Sequence, residues 1–194
     1  MTNLAREDLM SLEEYAAKRA DFRKDVLEHK KNRNIALGPH ATLYFEDKKT
    51  IQYQIQEMLR IEKIFEAEGI NEELDAYNPL IPDGSNWKAT FMIEYDDVEE
   101  RQKVLATLVG VEDKVWVQVE GFDKVYAVAN EDLERSTEEK TSAVHFMRFE
   151  LTADMVKAVK ENKAISMGID YEGFEQVVSP VAESARQSLM NDLQ

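Results

Sequence analysis

The sequence predicts an α+β fold: a mixed or antiparallel sheet with helices packed mainly on one face, and further helices added at both ends. Three observations carry this. Helical spacing of apolar residues dominates from Ser11 to Ala76. From Trp87 onward the pattern changes to strands, with Ala89, Phe91, Ile93 and Tyr95 alternating against Thr90, Met92 and Glu94. A strand–helix–strand order then occurs twice, from residues 91–95 to 115–119 and from 146–150 to 165–169. The 194 residues, 43% hydrophobic, suit a single domain. Its parts are an N-terminal helix (11–32), a strand, long helix and Pro/Gly loop (33–86), a sheet core (87–170) and a tail helix (171–194).

The elements follow in order. Ser11 and Glu14 form a capping box at the start of the first helix. Leu12, Tyr15, Phe22, Val26 and His29 share its apolar stripe, with Arg19 as the polar intruder. The basic run from His29 to Arg33 suits the helix C-terminus. Gly38-Pro39 breaks the chain, and Thr42–Glu46 reads as a short strand. The longest helix is expected from Lys48 to Glu68, stopped by Gly69, with a short helical turn over Glu72–Ala76. Prolines 79 and 82 forbid more helix. After the strand at residue 87 come a charged helix (98–108), a hairpin (114–120 and 124–129) turning at Gly121-Phe122-Asp123, and an acidic connector (130–140). A strand (143–151), a helix (153–160), a strand (165–170) and a last amphipathic helix after Pro180 complete the chain.

Composition removes several function classes. Thirty-nine acidic residues against 24 basic ones give a net charge of −15. Nucleic acid and anionic membrane surfaces are therefore poor partners, and a basic protein or a metal cation fits better. No cysteine is present, so thiolate nucleophiles, disulfides and cysteine-ligated clusters are excluded. The first fifteen residues lack the apolar core of a signal peptide, and no run reaches the ~20 apolar residues of a membrane span. A cytoplasmic location is expected, and the sequence leaves room for a homo-oligomer.

The candidate site residues come from polar groups in apolar settings. On the long helix, Ile51, Ile55, Met58, Leu59, Ile61, Ile64 and Phe65 make a broad arc. Gln54 and Glu62 fall within that arc, and Glu57 lies at its margin with Arg60 as a natural partner. A buried polar side chain must be paired, so this face is expected to meet polar groups across the sheet. The same residues could line a polar site between helix and sheet. His145 shares strand phase with Met147, Phe149 and Leu151 and is expected to be buried; it is the best histidine for a ligand or base. His29 reads as a helix-end residue, and His40 in its loop is uninformative. Glu57, Glu62 and His145 have the chemistry to hold iron or manganese, although no recognised ligand spacing joins them. Asn78, Asp83, Asn86 and Trp87, around two prolines and Gly84, are candidates for a pocket rim. No nucleotide-binding, zinc-protease or serine-hydrolase signature occurs.

Residues 54–95 (QIQEMLRIEKIFEAEGINEELDAYNPLIPDGSNWKATFMIEY), 115–121 (VWVQVEG) and 138–151 (EEKTSAVHFMRFEL) resemble an uncharacterised bacterial family, domain of unknown function 3501. The resemblance runs from about Leu12 to Asp170. It brings no catalytic residues. It implies a genomic setting beside rubrerythrin-like proteins and an iron–sulfur oxidoreductase, and hence an accessory role in peroxide or redox defence with one of them as protein partner. The alternative is a metal-binding protein or metal-dependent enzyme using the carboxylate and histidine residues.

Overall fold

The computed structural model describes residues 3–194, as six α-helices and nine strands with short 3₁₀ turns. The α+β class holds. The strands divide, however, between two sheets, and every pairing is antiparallel.

Helix α1 spans Leu12–Lys30, with the Ser11 hydroxyl accepting from the Glu14 amide at 3.2 Å. Strands β1 (Asn34–Ala36) and β2 (Ala41–Phe45) lead to α2 (Lys48–Glu62). Asp47 and Thr50 cap α2 reciprocally, each side chain accepting from the other's amide at 2.9 Å. The expected long helix is broken. Lys63 turns left-handed at φ 55°, and α3 begins anew at Ala67 and runs to Tyr77. Gly69, expected as the stop, lies inside α3, which also absorbs the turn expected at 72–76.

Strand β3 (Asn86–Ile93) leads through α4 (Val98–Thr107) to β4 (Val115–Val119). The hairpin arm after Gly121 splits in two. Strand β5 (Val125–Tyr126) pairs with β4, while β6 (Val128–Ala129) crosses to the other sheet and pairs with β7 (Val144–Glu150). Helix α5 (Ala153–Lys160), β8 (Ile165–Ile169), β9 (Gln176–Val178) and α6 (Glu183–Met190) finish the chain. The short strands β1 and β9 carry no alternation long enough to be read from sequence.

The repeated strand–helix–strand order explains the two sheets. The five-stranded sheet runs β1-β2-β3-β7-β6 and the four-stranded sheet β5-β4-β8-β9. Each unit sends its first strand to one sheet and its second to the other. The two first strands pair, Phe91 opposite His145, and the two second strands pair, Val117 opposite Met167. Their flanking strands correspond as well: β2 precedes β3 as β6 precedes β7, and β5 follows β4 as β9 follows β8. Exchanging the units leaves the order of strands 2–9 unchanged.

The main core lies between the sheets. Leu43, Trp87, Phe91 and Phe149 from one meet Val115, Val117, Ile165 and Met167 from the other, joined by faces of α5 and α6. A second cluster holds Leu4, Ile51, Ile55, Leu59, Leu74 and Ile81. Helices α2 and α3 carry this second cluster, apart from the core between the sheets. Among the described residues, no helix is long and apolar enough to cross a membrane.

Candidate functional site

The polar groups of α2 fare differently from one another. Glu57 is 14% exposed at its side chain and is fully engaged. Arg19 grips it with two nitrogens at 2.7 and 2.9 Å, the fully buried Tyr15 hydroxyl donates at 2.7 Å, and Arg60 adds a longer contact at 3.4 Å. Arg19 first, helped by Tyr15 and Arg60, holds the Glu57 carboxyl down at about 2 against the opposing effect of burial. The apparent intruder in the α1 stripe is thus the partner of Glu57. Glu62 is exposed, contrary to the expectation of burial, because the helix ends there and its last turn leaves the core. Gln54 is half-buried and makes no side-chain hydrogen bond among the described residues. The fully buried glutamine is Gln56, bonded to the amide and carbonyl of Met10 at 2.6 and 3.3 Å. Sequence reasoning missed it because the N-terminal segment covers that flank of the helix.

His145 is buried on β7, in phase with Met147 and Phe149 as expected. Its ring nitrogens meet Thr141 Oγ1 at 2.9 Å, the Ser142 carbonyl at 3.0 Å and the Asn130 side chain at 3.0 Å. Glu112, also buried, accepts from Thr141 at 3.1 Å and from Ser136, and its nearer oxygen lies 3.9 Å from the imidazole. Burial pushes the His145 pKa down, opposed by Glu112, so the ring is neutral. This network ties the acidic connector to the sheet. Glu112 and Thr141, both in loop-like surroundings, gave no sequence signal of it. Glu57, with Arg19 and Tyr15, stands apart from this network, and Glu62 lies in solvent. Among the described residues no three acidic or histidine side chains are placed to hold a metal ion.

His29 lies at the end of α1 as expected, but it also reaches Asp47 at 2.5 Å. Behind that pair Arg33 is buried, donating to Asp192 at 2.6 Å and to the carbonyls of Phe45 and Glu46 at 3.0 Å. Burial raises the Asp192 carboxyl to about 6, with Arg33 pulling the other way.

The proposed rim does not assemble. Asn78 bonds the backbone of Leu4 at 2.8 and 2.9 Å. Asp83 caps its own turn at Ser85, and the buried Asn86 bridges that turn to Glu150 at 3.1 Å. Trp87 is fully buried, its indole N–H donating to the Leu189 carbonyl at 2.9 Å. These side chains are consumed by the turn and the core, as buried polar groups must be.

Two concave surfaces involve α2. One is a cleft of about 420 Å³ between α2 and the outer face of the five-stranded sheet. Gln54 lies on its wall, beside Glu46, Thr50, Tyr77 and Thr90. Tyr77 and Leu80, from the Pro-rich stretch, line this cleft instead of the residues expected. The other is a groove of about 440 Å³ between residues 6–13 and the α2–α3 turn, walled by Leu9, Leu12, Leu59, Ile64, Phe65 and Ile70. Phe65, on its wall, is 69% exposed, and Ile61 is 60% exposed. Both were expected in the buried arc; Phe65 lies beyond the break at Lys63, and Ile61 sits on the last turn of α2. The segments that build the groove, 6–14 and 60–73, carry nine acidic residues against three basic ones.

Comparison with curated proteins gives no match. A crystal structure of a protein of unknown function from Burkholderia pseudomallei K96243 is similar with a TM-score of 0.94 and 48% sequence identity, covering 100% of both chains. A family profile described as protein of unknown function matches residues 3–193. On that match over nearly its whole length, the chain belongs to the DUF3501 family.

Proposed function

We propose that the protein is an accessory factor that works by docking a basic, apolar-faced segment of a partner protein in the groove at the α2–α3 turn. The observation that carries this reading is the exposure of Phe65 on the wall of a largely apolar groove in an acidic setting. A large aromatic side chain left in water next to a concave apolar surface is the usual form of an interface anchor. The surrounding glutamates would steer a basic partner toward it and repel an acidic one. The redox setting implied by the family resemblance names the partners to try first: a rubrerythrin-like protein and an iron–sulfur oxidoreductase, both in the cytoplasm.

The test uses purified partners from the same genome and titration calorimetry. One of them is expected to bind the wild-type chain, with affinity falling as salt rises. Phe65→Glu should weaken that binding by about tenfold or more, the loss typical of a central aromatic anchor. Because Phe65 is exposed, this variant should fold normally. Binding by neither protein, or binding indifferent to Phe65→Glu, would reject the proposal.

A further inference from the structure

The cleft between α2 and the five-stranded sheet contains a carboxylate held by hydroxyl groups. Glu46 follows β2 and lies half-buried on the cleft wall. Its two oxygens accept from two hydroxyls, Thr50 Oγ1 at 2.5 Å and Thr90 Oγ1 at 2.9 Å. Thr50 and Thr90 are themselves buried. The carboxylate is thus fixed from both sides by neutral donors. Among the described residues no Lys, Arg or His side chain forms an ion pair with it. Three other carboxylates nearby do have cations: Glu57 has Arg19, Asp47 has His29, and Asp192 has Arg33.

Among the described residues the one cation on the cleft wall is Lys30, and its ammonium lies 5.7 Å from the centre of the Tyr53 ring, not against Glu46. The rest of the wall is amphipathic. Met92, Val144 and Phe146 supply an apolar floor from the sheet, and Leu80 closes one side. Gln54 and Tyr77 line this space, and neither side chain makes a hydrogen bond among the described residues. A pre-positioned anionic acceptor, idle amide and phenol groups, and an apolar floor are the ingredients of a selective small-molecule site.

We infer that this cleft binds a small organic ammonium compound, its cationic nitrogen on Glu46 and its apolar body on Phe146, Met92 and Val144. Each Glu46 oxygen keeps a second acceptor direction open after serving one threonine. A primary ammonium can therefore donate to the carboxylate without displacing either hydroxyl. A metal cation is a poorer fit, because among the described residues no second or third acidic or histidine side chain gathers with Glu46 to hold one. An anion is rejected by Glu46. This inference concerns a different surface from the groove at Phe65 and stands or falls separately.

The test uses benzylammonium and benzyl alcohol as matched probes, with binding followed by amide chemical-shift changes in the full chain. Benzylammonium should perturb Thr50, Gln54, Thr90 and Phe146 and bind about tenfold tighter than benzyl alcohol, as expected when a charge-assisted hydrogen bond is added. Glu46→Gln keeps the shape and an acceptor but removes the charge, and should erase that preference. Gln54→Phe fills the cleft at a position whose side chain makes no hydrogen bond, and should abolish binding of both probes. Equal binding of the two probes, shifts confined to other surfaces, or a preference unchanged in Glu46→Gln would overturn the inference. If Glu46→Gln does not fold, undiminished benzylammonium binding by Gln54→Phe overturns it equally.

Discussion

Removing the charge of Glu57 should loosen the junction between α1 and α2 by an amount that depends on pH. Glu57 links three groups: Arg19 through two short hydrogen bonds, buried Tyr15, and Arg60. Its carboxyl is held at about 2, against an ordinary value of 4.5. Each unit of such a shift corresponds to about 1.4 kcal/mol of preference for the ionised form in the folded state. The full shift would be worth about 3 kcal/mol. Arg19 is 34% exposed, and water screening reduces the expected cost of Glu57→Gln to about 2 kcal/mol at pH 7. The sign is fixed by the direction of the shift. A depressed carboxyl stabilises the fold fully above 4.5, and this contribution fades as pH falls toward 2. Urea titrations of wild type and Glu57→Gln at pH 7 and at pH 3 measure it. The gap in midpoint, at constant slope, should be large at pH 7 and clearly smaller at pH 3. A gap below about 0.5 kcal/mol at pH 7, within the range of ordinary surface substitutions, would refute the reasoning. So would a gap unchanged at pH 3.

Two buried groups should give opposite pH slopes. The neutral His145 resists protonation in the fold, so its contribution is complete above the ordinary histidine value of 6.5 and is lost as pH falls. The stability of wild type relative to His145→Gln should therefore decline as pH falls below 6.5, and a flat difference would contradict burial as the cause. Asp192 is raised from 3.8 to about 6, so its contribution is complete below 3.8 and is lost as pH rises through 6. Wild type relative to Asp192→Asn should weaken over that window, measured by the same titrations; a strengthening would mean that Arg33 outweighs burial. Gly168→Ala should cost roughly 2 kcal/mol or more by overpacking, because an added Cβ would collide with the Gln176 carbonyl and the Trp116 ring. A thermal midpoint equal to wild type would show that β8 and β9 shift to make room.

Local chemistry made much of the fold legible. The Ser11 cap, the alternation of β3 and β7, the turn at Gly121 and the repeated strand–helix–strand order are all short-range patterns, and each corresponds to an element observed. His145 was readable for the same reason, since strand phase alone sends it inward with Met147 and Phe149. The candidate site was far less legible. Gln54 does lie between helix and sheet, and Glu57 does pair with Arg60, but the wheel that placed Glu62 beside them assumed a helix continuing past Lys63.

What the sequence determined by itself was the class, the order of most elements and which strand faces are apolar, because these depend on periods of two or three to four residues and on turn chemistry. Only the tertiary structure decided which flank of α2 is covered, with the N-terminal segment burying Gln56 and leaving Phe65 and Ile61 in water. It also decided that the strands form two sheets and that Glu46 meets Thr90 across a cleft. Those outcomes depend on contacts between residues distant in the chain, and no local period encodes which distant surface arrives.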